Sequence, residues 1–350
     1  MHKKKKEYKK RGIGWTILRI FLGAAGILVL VLVVYIGYLF ASYHRIEDNL
    51  ELEVEKPAEG NVDETLKTGT EYSALTYNIG FGAYTPDFSF FMDGGKSSWA
   101  KSKESVLETV SGAGKLAASY DPDFALIQEV DLNSTRSYHV NEYELLKESF
   151  PEYDSVFTQN YDSAFLFYPF TQPHGRSRSG LALFSRYPVT SALRRSFPVS
   201  TSFTKFFDLD RCYSISRVPA ENGKELVIFE LHMSAYGNSD AIREGQISML
   251  CNDMKAEYEA GNYVLCGGDF NHDLKASEDD STEHESWAYP FPREDLPEHF
   301  TFCLDLLSEE EKDDLWDSAR NADMEYVPGV TYTVTLDGFI ISDNLECLSY

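Results

Sequence analysis

The chain has 350 residues, 43% of them hydrophobic and 25% charged, with a formal net charge of −24 at pH 7. The apolar and charged fractions are those of a packed globular core, and the length suits one large domain with extensions. The acidity repels polyanions at long range, which counts against a dedicated nucleic-acid binder, whose surface is ordinarily basic.

Seven of the first eleven residues are basic: Lys3, Lys4, Lys5, Lys6, Lys9, Lys10 and Arg11. An apolar run from Ile20 to Phe40 follows. At about 1.5 Å per residue it is long enough to span a hydrocarbon core of roughly 30 Å. A cleaved signal peptide is the competing reading, but its apolar region is shorter, about 7–15 residues, and ends at a small-residue site not found here. The sequence therefore predicts a basic cytoplasmic tail over 1–12 and one transmembrane helix over 13–42. Glu47, Asp48, Glu51, Glu53 and Glu55 follow the helix. The positive-inside rule then keeps the N-terminus in the cytoplasm and the remainder outside, as a single-pass protein of the cell membrane. Segment 43–70, acidic and punctuated by Pro57 and Gly60, reads as a linker. The five cysteines are scattered without zinc-site spacing and read as small core residues.

From Tyr72 onward, short apolar runs alternate with helical patterns. Ser73–Tyr77 reads as a strand running into Asn78. Ser102–Ala118 reads as a helix, and Phe124–Ile127 as a buried strand leading to Glu129. Gly180–Phe184 and Leu226–Leu231 read as strands, the second followed by His232. Ala241–Tyr258 is an amphipathic helix candidate, Tyr263–Cys266 a strand before Gly267-Gly-Asp-Phe-Asn271, and Thr333–Leu336 a strand before Asp337. Interleaved strands and helices predict an α/β sandwich with helices covering the sheets. Residues 272–325, acidic and loop-rich, read as a surface insertion beside the site.

One arrangement recurs: an apolar strand delivers a polar residue at its C-terminal end, giving Asn78, Glu129, His232, Asp269 with Asn271, and Asp337. Charged groups at the ends of buried strands are costly unless paired or bound to metal, so the repetition predicts convergence on one site. The set is oxygen-rich and suits Mg²⁺ or Mn²⁺. Glu129 is the natural direct ligand. Asp269 is placed to orient or deprotonate an attacking water, Asn271 to donate to transition-state oxygens, and His232 to donate to a phosphoryl oxygen or act as general acid. Arg136, His174 and Arg178, in basic loops after Glu129 and before Gly180, are candidate substrate-anion contacts, with solvated loops as the alternative.

In order, Leu75-Thr-Tyr-Asn-Ile-Gly80, Gln128-Glu-Val130, Ser179–Val189, Leu231-His-Met-Ser-Ala235, Gly267–Asn271 and Leu336-Asp-Gly-Phe-Ile340 resemble the endonuclease/exonuclease/phosphatase superfamily, with its deoxyribonuclease I-like fold. The resemblance covers about 71–350. It implies a four-layer sandwich of two packed β-sheets flanked by helices, with the site at one end. It also implies Asn78 and Glu129 around the metal, His232 on the phosphate, and Asp269 with Asn271 at the nucleophile. Asp337 would orient a final histidine in a Ser-Asp-His turn. Ser342-Asp343 is followed by Asn344, and the sequence stops at Tyr350. The expectation is a piece of a longer chain, with the domain lacking its last strand and loop. The expected activity is Mg²⁺-dependent hydrolysis of a phosphodiester or phosphomonoester, on a lipid headgroup or small molecule. The alternatives are an extracytoplasmic endonuclease, or a non-catalytic binding protein if the chain truly ends at Tyr350.

Overall fold

The computed structural model describes residues 12–57, 65–199, 209–234, 240–276 and 288–350. The basic cluster at 3–11, Gly60, Ala235 and Asp279-Asp280 lie outside the described residues. Residues up to His44 and residues from Arg45 onward form two separate units. The first holds helix α1 (Ile13–Ser42), which is long and apolar enough to cross a membrane.

The second unit contains, in chain order, strands β1 (Leu50–Leu52), β2 (Val54–Glu55) and β3 (Ala74–Asn78), helix α2 (Lys103–Ser119), β4 (Phe124–Asp131), helix α3 (Glu142–Lys147), β5 (Asp154–Asp162), β6 (Arg178–Ser185), β7 (Ser191–Ser196), β8 (Cys212–Pro219) and β9 (Glu225–His232). Helix α4 (Asp240–Glu259), β10 (Tyr263–Asp269), β11 (Phe300–Phe302), helix α5 (Glu309–Asp314), β12 (Ala319–Arg320), β13 (Thr333–Val334) and β14 (Asp337–Ser342) complete it. Two mixed sheets result, ordered β2-β5-β6-β4-β3 and β1-β7-β8-β9-β10-β14-β11, with β12 and β13 as a separate pair.

The period-2 alternation of the strands sorts side chains into layers. Phe124, Leu126, Val156 and Leu183 of one sheet meet Leu226, Ile228, Leu265 and Ile341 of the other between the sheets. On the outer face of the five-stranded sheet, Ile127, Ala182 and Phe184 pack with Val106 and Val110 of α2 and Leu146 of α3. Beyond the other sheet, Phe229, Val264 and Cys266 pack with Ile247, Leu250 and Met254 of α4. Helix, sheet, sheet and helix layers follow, as expected. Ser102 caps α2 by accepting from the Ser105 N–H at 3.1 Å.

Three expectations are corrected. Segment 43–70 is not a free linker throughout: β1 pairs with β7 and β2 with β5, so it supplies an edge strand to each sheet. The cause is alternation within Leu50-Glu-Leu-Glu-Val-Glu55, which sends Leu52 and Val54 toward the inter-sheet core and the acids outward. Residues 272–325 are not only a surface insertion, because Phe291 and Phe302 are buried against Phe270 with ring centroids 4.9–5.8 Å apart. Finally, Asp337 begins its strand rather than following one. Because β14 runs antiparallel to β10, that start still lies level with Asp269.

The inter-sheet layer turns polar toward the site. Glu230 on β9 is fully buried, and neither carboxyl oxygen closes a hydrogen bond among the described residues. Burial holds its pKa well above the ordinary 4.5, partly offset by the nearby Ile127 and Ala182 amides and the Gln128 side chain. The folded protein thus keeps a proton that the unfolded chain releases, and stability falls as pH rises past the ordinary glutamate range. Glu230→Gln is expected to flatten this decline and to raise the melting temperature more at pH 8 than at pH 4. An unchanged pH slope of Tm contradicts it.

Candidate functional site

Register brings the strand-end residues together. Asn78 pairs with Gln128 across parallel β3 and β4, Asp269 with His232 across parallel β10 and β9, and Asp269 with Asp337 across antiparallel β10 and β14. The two sheets meet here through Asn78, whose Nδ2 donates to Asp269 Oδ2 at 2.9 Å and to Glu129 Oε1 at 3.3 Å. Its Oδ1 accepts from the Gly80 N–H at 3.0 Å. Asn78 therefore stands beside Glu129, as the sequence predicts, but it turns its amide N–H toward both carboxylates and orients them.

Glu129 owes its direction to a bulge. The β4–β6 register shifts between Ile127 and Val130, and Glu129 itself has φ +57°, a left-handed conformation that re-aims a side chain out of the alternation. Asn271 adopts φ +50° just after β10. Its N–H donates to Asp269 Oδ1 at 2.8 Å and its Nδ2 to the Met233 carbonyl at 2.8 Å. Glycine is required at 268, within β10: its φ is +139°, and a Cβ there would lie 2.1 Å from the Leu231 carbonyl oxygen.

Burial sets the electrostatics. Desolvation raises Asp269 to about 6, opposed by its bonds to Asn78 and the Asn271 amide and by Arg211. Asp337 is raised well above the aspartate range, first by desolvation and then by Asp269, and its buried Oδ1 has no hydrogen-bond partner among the described residues. His232 Nε2 lies 3.5 Å from Asp269 Oδ2, and its pKa is pushed well below 6.5 by desolvation, Arg211 and Arg136. The imidazole is therefore neutral at pH 7 and can offer one N–H to a phosphoryl oxygen.

Arg211, absent from the sequence-level reading, is the buried cation of the site. Desolvation lowers its pKa against the pull of Glu129 and Asp269. It immediately precedes β8, whose first residue Cys212 pairs with His232. A basic residue opening the strand beside the histidine strand was the available signal.

The three candidate anion contacts do not join this set as free cations. Arg136 is buried and bonds Asp131 at 2.8 and 3.1 Å, with its guanidinium 3.9 Å from the Phe81 ring centroid. Burial opposes its charge, Asp131 more than compensates, and its pKa rises. Beneath it Glu142, fully buried, accepts from the Asp131 N–H at 2.8 Å. His174 is buried, and desolvation with Arg136 drives its pKa to about 4, leaving it neutral. Arg178 is half-buried and engages Gln159 at 3.2 Å and Asp162 at 3.9 Å. Charge density in a loop does not reveal which cations are already committed to acids of adjoining strands.

A divalent metal fits the residues present. The donors are carboxylate and amide oxygens with no thiolate among them, and the buried Asp337 Oδ1, without a hydrogen-bond partner among the described residues, leaves an oxygen beside Asp269 that a cation could satisfy. Among the described residues no group of three or more His, Cys, Asp or Glu is set as a metal cage.

The profile of the Endonuclease/Exonuclease/phosphatase family matches residues 75–303, which include Asn78, Glu129, His232, Asp269 and Asn271. Curated protein sequences give no match. Similar solved structures include truncated Caenorhabditis elegans TDP2, 14% identical, with 78% of this chain and 84% of that one covered and a TM-score of 0.49. The endonuclease/exonuclease/phosphatase of Beutenbergia cavernae is 13% identical, with 77% and 64% covered and a TM-score of 0.49. The human Nocturnin catalytic domain with bound sulfate is 17% identical, with 77% and 81% covered and a TM-score of 0.43. The chain belongs to the endonuclease/exonuclease/phosphatase family, whose members are metal-dependent phosphoester hydrolases.

Proposed function

We propose that the protein is a membrane-tethered phosphoesterase that uses Mg²⁺, with Mn²⁺ as a substitute, on the outer face of the membrane. The observation that carries this reading is the bridge from Asn78 to Glu129 and Asp269, which joins the two sheets at one polar point. Glu129 would hold the metal, with Asn78 fixing its direction. When bound, the metal would polarise a phosphoryl oxygen and stabilise the leaving group.

The chain's own residues supply the rest. Asp269, fixed on both oxygens by Asn78 and the Asn271 N–H, takes the proton from an attacking water. Its folded pKa of about 6 places the acid limb of kcat/KM at or below about pH 6, because a bound cation lowers it further. Neutral His232 donates its N–H to a non-bridging oxygen, and Arg211 offsets charge gathering on the phosphoryl group. The net charge of −24 favours a lipid headgroup or small phosphoester over a polynucleotide.

The test compares Mg²⁺-dependent release of water-soluble phosphorus from phospholipid vesicles with nicking of supercoiled plasmid, at low and moderate salt. Faster turnover of lipid is expected. Faster nicking moves the substrate to nucleic acid, and no turnover of either overturns the phosphoesterase reading.

A further inference from the structure

The end of the sandwich that holds the site also carries an exposed apolar rim, built by three loops. Residues 79–102 follow β3, residues 163–177 join β5 to β6, and residues 321–332 join β12 to β13. Strand β5 runs antiparallel to β6 and β6 to β4, so β5 ends at the same side as β4 and β3. The third loop lies against the first, with the Phe90 N–H donating to the Ala322 carbonyl at 2.6 Å and Arg320 to the Phe88 carbonyl at 2.9 Å. All three loops therefore surround the site end.

The loops are tied to one another. The Trp99 indole donates to the Pro173 carbonyl at 2.7 Å, and the Phe91 and Tyr168 rings lie 6.0 Å apart. Across the first and third loops, the Tyr326 N–H donates to the Pro86 carbonyl at 2.7 Å. Yet their outer faces leave Met92 60%, Tyr168 65%, Phe170 85% and Val330 68% exposed, with Phe167 at 50%. Apolar side chains gathered on neighbouring loops mark an interaction surface rather than scattered exposure.

The position of the chain's N-terminal approach says what that surface meets. Leu50 of β1 pairs with Arg194, Arg194 with Ser214, and Ser214 with Glu230, two residues before His232. The residues before Leu50 thus join the unit at the site end. They are pinned there: Arg45 pairs with Asp210 at 2.6 Å, and Arg194 donates to the carbonyls of Glu47 and Asp210, each at 2.9 Å. The stretch that follows the apolar helix in sequence therefore enters this unit at the end that carries the rim.

We propose that these three loops seat in the interfacial layer of a zwitterionic bilayer, so that the site takes its phosphoester from the lipid surface. Aromatic rings with a polar edge suit that layer. In these loops Asp87, Asp93, Asp323 and Glu325 stand beside Lys96, Lys101 and Arg176, with Lys101 paired to Asp87 and Arg176 to Asp162, so the rim is close to neutral and has no basic patch for an anionic surface or a polynucleotide. The docking stands on its own geometry; the phosphoester substrate rests on the proposed activity.

The test uses the full chain in phosphatidylcholine vesicles, with Phe170→Trp compared against wild type as background. The added emission is expected to shift to the blue and to lose about half its intensity to brominated phosphatidylcholine. Emission at the water-exposed position without quenching overturns the docking, as does quenching by a single-stranded oligonucleotide in place of lipid. In the same vesicles, Phe167→Asp with Phe170→Asp is expected to slow bilayer phosphoester hydrolysis about tenfold or more, leaving soluble bis(p-nitrophenyl) phosphate within about twofold. Equal loss of both, or loss of neither, overturns the proposed access to substrate. Absence of turnover in wild type would fail the phosphoesterase reading alone, because the quenching needs no chemistry.

Discussion

Glu129→Gln is expected to lower Mg²⁺-dependent phosphodiester hydrolysis by about a thousandfold, several kcal/mol at the barrier, while shifting the melting temperature little. The amide matches the carboxylate in size, so the bulge and the Asn78 contact can persist. What disappears is the negative charge, which the structure holds in a left-handed residue between Asn78 and the buried Arg211. Isothermal titration with Mg²⁺ should show weakened binding in the same variant. Parallel loss of Tm and activity would instead mean that Glu129 acts structurally.

Gly268→Ala is expected to destabilise the fold by about 3–5 kcal/mol, from backbone strain and overpacking together. At φ +139° an alanine is strained before any contact, and its Cβ would lie 2.1 Å from the Leu231 carbonyl of the neighbouring strand. Leu231 is the register partner of Gly268. Relief by separating β9 from β10 would pull His232 from Asp269 and remove activity along with stability. Gly112 in α2 provides the control: nothing lies within 4 Å of its Cβ position, so Gly112→Ala should be neutral or stabilising by up to about 1 kcal/mol. Equal Tm values for the two variants would contradict the close-approach argument.

The polar ends of apolar strands were legible because both signals are local. Four apolar runs of four to six residues lead to Asn78, Glu129, His232 and Asp269, and the structure brings all four to one end of the sandwich. Strands β5, β7 and β8 were not legible, since polar side chains that find partners only in the fold interrupt their apolar pattern. Arg194 shows why: it is fully buried in β7, where a sequence reading places a solvent-facing cation, and backbone carbonyls of Gln159, Glu47 and Asp210 satisfy it. The same blindness promoted Arg136 and His174 to substrate contacts and passed over Arg211. Whether a basic residue meets solvent, a paired acid or the site is decided by strand register. In β1 and β2 the acids drew attention, and the leucine and valine between them were missed.

The most direct test of the central claim is hydrolysis of bis(p-nitrophenyl) phosphate by the full chain, with Mg²⁺ and after chelation, in wild type and Asp269→Asn. The account predicts Mg²⁺-dependent turnover in wild type, loss on chelation with recovery on adding the metal back, and a loss of about a hundredfold or more in Asp269→Asn. Turnover unaffected by chelation, or equal in wild type and variant, would contradict it.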